Sequence, residues 1–222
     1  MMTSTMTGLS ATEARLEAIA AAAVPAGDGS HDLTHLRRVR ANARAIAADE
    51  GDAGDPAVLA AACWLHDLVA IEKNDPRRAE ASRLSATAAA ELLRGWDWDE
   101  TRIAGVSHAI EAHSFSAGIA PETAEARILR DADRLDAIGA VGIARAFAVS
   151  GRLGHALYDA GDPGAARRPL NDRRFAIDHF RTKLLGLADG MLTATGRRIA
   201  AERTAVLREF LDRFLAEIDG RA

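Results

Sequence analysis

Apolar residues return at every third or fourth position along most of this 222-residue chain, and no run alternates long enough to make a half-buried strand. Ala, Leu, Arg and Glu, which give up little on entering a helix, carry the pattern, while aromatic residues make up only 5%. An all-α fold is predicted. A first helix is expected from the capping box Ser10-Ala11-Thr12-Glu13 to about Ala23, stopped by Pro25 and Gly27. A second starts near Ser30 to Asp32 and turns Leu36, Val39, Ala43 and Ile46 to one side. A third follows Pro56, with Val58, Leu59, Ala62, Leu65 and Val69 inward. Beyond a polar loop around Lys73 to Pro76, helical spacing resumes from Ser82 to Leu93. It recurs over about Asp99 to Ala112, Pro121 to Phe147, Asp172 to Leu187 and Thr193 to Asp219, the last with Ile199, Val206, Phe210 and Phe214 inward. Gly139-Ala140-Val141-Gly142 falls inside a helical pattern and reads as a close helix contact. Ser150 to Arg168, with four glycines and Pro163, is the least regular stretch and suits a lid or hinge.

A chain of this length supports one core, so residues 1–9 are expected to be a flexible lead-in and 10–222 a single domain. The formal net charge of −4 lacks the positive field that duplex nucleic acid or an anionic membrane would call for. No stretch offers the roughly 18 consecutive apolar residues of a membrane span. The single Cys63 rules out an intramolecular disulfide, and a cytoplasmic location is expected.

Chemistry concentrates in Trp64-Leu65-His66-Asp67, where an imidazole and a carboxylate stand beside an apolar stripe. A buried carboxylate must be paired, protonated or given a metal. Taken alone, the dipeptide also fits a hydrogen-bonded core histidine. Two other helices present matching groups: His31 and His35, one turn apart, and Asp131, Asp133 and Asp136. Imidazole and carboxylate ligands without thiolate suit Mn2+, Mg2+, Co2+, Ni2+, Fe2+ or Zn2+ and argue for a centre with an open position rather than a closed structural zinc.

The ordered set His35, His66-Asp67 and Asp133 resembles the HD-domain superfamily of metal-dependent phosphohydrolases. The stretches Lys73 to Arg77, Ser82 to Ala86, His108 to Ser116, Asp131 to Arg145 and Asp178-His179-Phe180 are similar to its branch of small stand-alone bacterial proteins of the YpgQ/YedJ type, over roughly Ser30 to Arg203. The resemblance implies an HD-type helical bundle with additional C-terminal helices, its metal-site core at about 30–147 and its C-terminal helical part at about 169–219. It implies one divalent ion, Mn2+ foremost, held by His35, His66, Asp67 and Asp133, with His31 as a cap or support and Asp131 and Asp136 as supporting groups. Asp67 would also orient the attacking water, and Glu72 and Glu111 are the candidates to take its proton. The acidic pair that some members carry after the His-Asp is replaced here by Ala70 and Ile71. His108 and His113 would contact phosphate oxygens, or bind a second metal as extra histidines do in dinuclear phosphodiesterases of the superfamily.

An anionic substrate would be met locally by Lys73, Arg77, Arg83, Arg134, Arg145 and Lys183, of which Lys73, Arg77, Arg145 and Lys183 join His108 and His113 as expected substrate contacts. Tyr158 could stack on a base or pack in the core. The resemblance points to hydrolysis of a nucleoside or deoxynucleoside triphosphate to monophosphate and pyrophosphate. The same centre would serve a 5′-nucleotidase or phosphodiesterase, and a non-catalytic nucleotide-binding HD module is the alternative of another class. The expected partner is a small phosphorylated molecule, with neither membrane nor nucleic acid. The exposed face of the last helix would allow a homodimer.

Overall fold

The computed structural model describes residues 2–24, 32–71, 75–114 and 117–221. Among them the elements are helices α1 (Met2–Ala23), α2 (Leu33–Asp49), α3 (Pro56–Leu65), α4 (Ala81–Arg94), α5 (Glu100–His113), α6 (Ala124–Asp136), α7 (Gly139–Arg152), α8 (Asp178–Thr182) and α9 (Ala194–Ile218). Short 3₁₀ turns lie at Pro76–Glu80 and Leu184–Gly190, and the described residues contain no strand, only an isolated bridge between Ala156 and Phe175. The fold is all-α. The chain divides into two compact units, Met1–Asp133 and Arg134–Ala222.

In the first unit α3 is the central post, in contact with α1, α2, α4 and α5. Asp55 caps its start by accepting from the Ala57 and Val58 amides, and Pro56 takes the first position, where no amide is needed. Every residue from Val58 to Leu65 is buried. A helix apolar all round belongs inside a protein, and three successive alanines, Ala60 to Ala62, let its neighbours approach closely. Helices α2, α4 and α5 bury one stripe each: Leu36, Val39, Ala43 and Ile46 on α2, as the spacing predicts; Ala86, Ala89 and Leu93 on α4; Ile103, Val106 and Ile110 on α5. Each such Leu or Ile contributes about 1.5–3 kcal/mol by leaving water.

In the second unit α9 packs on α7 and on the 3₁₀ turn that follows α8. Thr193 caps α9 by accepting from the Gly196 amide. Phe147, Phe180, Phe210, Phe214 and Tyr158 form one aromatic cluster, with Phe180 and Phe210 stacked at 5.7 Å and Tyr158 edge-on to Phe214 at 6.0 Å. Arg168 holds the buried Asp178 through two hydrogen bonds of 2.5 and 2.9 Å, and the Asn171 amide adds a third.

Several boundaries differ from the sequence expectations for identifiable reasons. Helix α1 begins at Met2, so the Ser10 capping box lies within it and the segment expected as a lead-in is helical from its second residue. That segment holds no proline to stop a helix. Helix α3 stops at Leu65, so Val69 sits in a following turn, its amide bonded to Ser85 Oγ. The helix expected over 121–147 is two, α6 and α7. Gly139, the first residue of α7, has φ +76° and lies so close to the Arg203 side chain of α9 that a Cβ there would crowd it, while a Cβ at Gly142 would strike the Ala137 carbonyl, so these glycines make a break as well as the close helix contact expected. The helix expected over 172–187 shrinks to α8 because Asp172 and Asp178 spend their carboxylates on non-helical bonds to His179, Thr182, Arg168 and Asn171. On α9 the buried stripe is Ala200, Thr204, Leu207 and Leu211, and Val206 is 43% exposed instead of inward.

The break makes a sharp prediction. Gly142→Ala should lower stability by about 1–3 kcal/mol through overpacking against the Ala137 backbone. Gly186→Ala, whose added methyl meets nothing within 4 Å, should be near neutral. Equal urea midpoints for the two variants would contradict the tight α6–α7 corner.

Candidate metal centre

Four side chains meet within the first unit. Asp32 caps α2, its Oδ1 accepting from the His35 amide at 2.9 Å and from the Thr34 hydroxyl at 2.7 Å, which fixes the turn that carries His35 inward. Asp32 consequently titrates below its ordinary value, since these hydrogen bonds and Arg38 outweigh the upward push of its partial burial. His66 closes α3. Its Nδ1 lies 2.9 Å from the Cys63 carbonyl, and because a carbonyl can only accept, Nδ1 carries the hydrogen. One of the carbonyls left open at the helix end is thereby satisfied, and Nε2 is left as a bare lone pair. Asp67 follows in the turn. Asp133 comes from the last turn of α6, whose Ala132 carbonyl accepts from Asn42 of α2 at 3.2 Å.

The nitrogen and oxygen atoms converge closely. His35 Nε2 lies 3.8 Å from Asp67 Oδ2 and 3.5 Å from Asp133 Oδ1; for His66 Nε2 the distances are 3.6 and 4.0 Å. Ligand atoms of His35, His66 and Asp67 all lie within 4.8 Å of one another. Both imidazoles are fully enclosed, while the Asp67 and Asp133 side chains keep 27% and 32% exposure, so the cluster opens on its carboxylate side. Burial pushes the His66 pKa down, with help from His113 and His35, against the opposing pull of Asp67 and Asp133. Asp133 is also held below its ordinary value: burial would raise it, but His35, His66 and His113 together prevail. The outcome is a neutral imidazole beside an anionic carboxylate, the states in which both groups bind metals.

The residue set fits a divalent ion on an internal observation. His66 Nε2 is buried with no hydrogen-bond partner and faces two carboxylate oxygens at 3.6 and 4.0 Å. A buried polar atom so placed needs a ligand. The α3 carbonyl terminus adds a field that favours a cation.

The other expected site residues are distributed differently. Glu72, Lys73 and His31 lie outside the described residues. His113 ends α5 and meets the His66 ring at 4.9 Å, nearly perpendicular. Glu111 is half-buried one turn-half earlier on the same helix. His108 is turned to the loop, its Nε2 accepting the Glu122 amide at 3.0 Å. Arg77 forms an exposed local pair with Asp75. In the second unit, Arg145 pairs with the buried Asp136 at 2.5 Å and Lys183 is exposed just after α8. Asp131 is fully buried. The sequence reading missed Asn42 and Ser85, which tie α2 to the Asp133 helix and α4 to the turn after Asp67. Asn42 carries a signal that could have been used, being a polar residue two turns after His35 on the same side of α2.

Residues 32–138 match the HD domain family. The chain is similar to YpgQ of Bacillus subtilis (strain 168), with 34% identity over 194 residues, 86% of this chain and 85% of that protein. Among solved structures it is similar to Bacillus subtilis YpgQ in complex with ADP, at 30% identity and TM-score 0.73, covering 95% of this chain and 100% of that one. It is also similar to an HD-superfamily hydrolase from Bacillus thuringiensis, at 27% identity and TM-score 0.73, covering 95% and 98%.

The peptide that holds His66 also carries Cys63, whose side chain is wholly buried and whose thiol is pushed up to about 12 by that burial. The thiol should react with Ellman's reagent roughly 10³-fold or more slowly in native protein than in urea, because it is reached only through opening. Modification at the urea rate in native buffer would contradict the packing beneath His66.

Proposed function

Since the chain belongs to the HD domain family, we propose that it is a metal-dependent phosphohydrolase whose single ion is held by His35, His66, Asp67 and Asp133. The observation that carries this reading is His66 Nε2, buried, bare and facing two carboxylates. The chemistry that a divalent ion, Mn2+ foremost, would supply when bound there is a lowered pKa for a coordinated water and an offset for charge on a phosphoryl oxygen. The residues do the rest. His35 and His66 are neutral donors from the enclosed wall. Asp67 and Asp133 bring the negative charge, and their partial exposure leaves the substrate side open. Asp67 would orient the water.

The substrate we propose is a nucleoside or deoxynucleoside triphosphate, split to monophosphate and pyrophosphate. The similar YpgQ structure is a complex with ADP, which supports a nucleotide. With a net charge of −4, phosphate recognition falls to particular cations, and in the first unit we assign it to Arg77. Arg145 and His108 instead serve Asp136 and the Glu122 amide. No helix among the described residues is long and apolar enough to cross a membrane.

The test is product analysis on a panel of nucleoside tri-, di- and monophosphates and cyclic nucleotides with Mn2+, Mg2+, Co2+ or Ni2+. Pyrophosphate and a monophosphate are expected, with no turnover in chelator. Phosphate released from monophosphates would make it a nucleotidase, opening of cyclic nucleotides a phosphodiesterase, and binding without turnover a nucleotide-binding module. Asp67→Asn should abolish turnover and weaken metal binding by more than the roughly 10–100-fold typical of a group outside the ligand set. Full activity in that variant would remove Asp67 from the centre.

A further inference from the structure

The α5 carboxyl end repeats the device that ends α3. His113 Nδ1 lies 2.5 Å from the Ile110 carbonyl, three residues back, as His66 Nδ1 lies 2.9 Å from the Cys63 carbonyl three residues back. In both rings the hydrogen is on Nδ1, so a neutral His113 presents Nε2 as a lone pair and nothing else. The two rings stand 4.9 Å apart with an interplanar angle of 79°. A second imidazole of the same tautomer is therefore locked against the wall of the metal centre.

A lone pair in that place restricts the partner. With Nδ1 spent on the Ile110 carbonyl, Nε2 is the ring nitrogen left to meet a ligand, and as a lone pair it accepts from a donor rather than from a phosphate oxygen, itself an acceptor. It needs a metal or a hydrogen-bond donor. The groups whose ligand atoms lie mutually within 4.8 Å are His35, His66 and Asp67, and His113 stands beside that trio. The donor best suited to the space between a metal centre and an adjacent bare imidazole is water.

We infer that His113 orients the attacking water at the metal centre by accepting a hydrogen bond from it at Nε2. The inference rests on the reading of His35, His66, Asp67 and Asp133 as a metal centre. Its lock on Ile110 makes the direction of that hydrogen bond a property of the α5 terminus, since the ring cannot turn over without giving up the Ile110 carbonyl.

Two measurements test it on the whole protein. Long-range 1H–15N spectra of the Zn2+-loaded protein distinguish protonated, bare and metal-bound imidazole nitrogens. His66 Nε2 should be metal-bound, and His113 should show a protonated Nδ1 and an Nε2 free of metal. His113→Ala should keep metal affinity within about tenfold of wild type while kcat falls roughly 10–100-fold at little-changed KM. His113→Gln, whose side-chain carbonyl can stand near the Nε2 position, should recover part of the loss. The inference is overturned by a metal-bound His113 Nε2, by metal loss in His113→Ala, by a raised KM at unchanged kcat, or by no kinetic effect in either variant. Retention of the ion by His66→Ala would overturn the metal-centre reading itself, and His113 with it.

Discussion

A helix that stops in the protein interior must find partners for its last carbonyls, and α3 and α5 find them in their own histidines. His66 donates to the Cys63 carbonyl and His113 to that of Ile110. Each bond does two things at once. It ends a helix without water or glycine, and it fixes an imidazole tautomer so that Nε2 is the free acceptor. The alternative tautomer would give up that hydrogen bond, a loss of about 0.5–1.5 kcal/mol. Backbone satisfaction thus decides which nitrogen faces the cluster, before any ligand arrives.

The rest of the first unit serves this placement. Helix α3 is buried along Val58 to Leu65, so the position of His66 is inherited from the most tightly enclosed element rather than from a loop. Asp32 presets the α2 turn that aims His35, Asn42 joins α2 to the Asp133 end of α6, and Ser85 holds the turn after Asp67. The enclosed imidazoles and the more open carboxylates then divide the site into a dry wall and a wet mouth. The pKa shifts follow the same division: burial pushes the His66 pKa down, and the histidines beside Asp133 hold its carboxyl below the ordinary value against its own desolvation.

What could be read in advance follows from which forces are local. Caps and stripes are local, and Asp32, Asp55, Asp99 and Thr193 stand where helix starts were expected, with the α2 stripe residue for residue. The order His35, His66-Asp67, Asp133 was legible through the resemblance to the HD-domain superfamily rather than from a local rule, and the structure brings all four side chains together. Tertiary decisions were not legible. Nothing around Gly139 announces a break, because the cause is the approach of the Ala137 carbonyl to Gly142. Val206 is apolar yet exposed, because α9 is turned so that Thr204 and Leu207 face its neighbours. Arg145 is cationic and lies in a suggestive stretch, but its partner is Asp136 in the adjoining helix. The tautomer of His113 depends on a bond to the carbonyl three residues back, which periodicity alone does not show.

The account stands on the convergence of His35, His66, Asp67 and Asp133 around one ion, and crystals grown with Mn2+ test that directly through anomalous scattering. The account predicts one manganese peak per chain, bonded to His35 Nε2, His66 Nε2 and one oxygen each of Asp67 and Asp133, with His113 Nε2 outside the bonded set. A peak elsewhere, two peaks bridged by His108 or His113, or a fully loaded protein with no density at the cluster would contradict it.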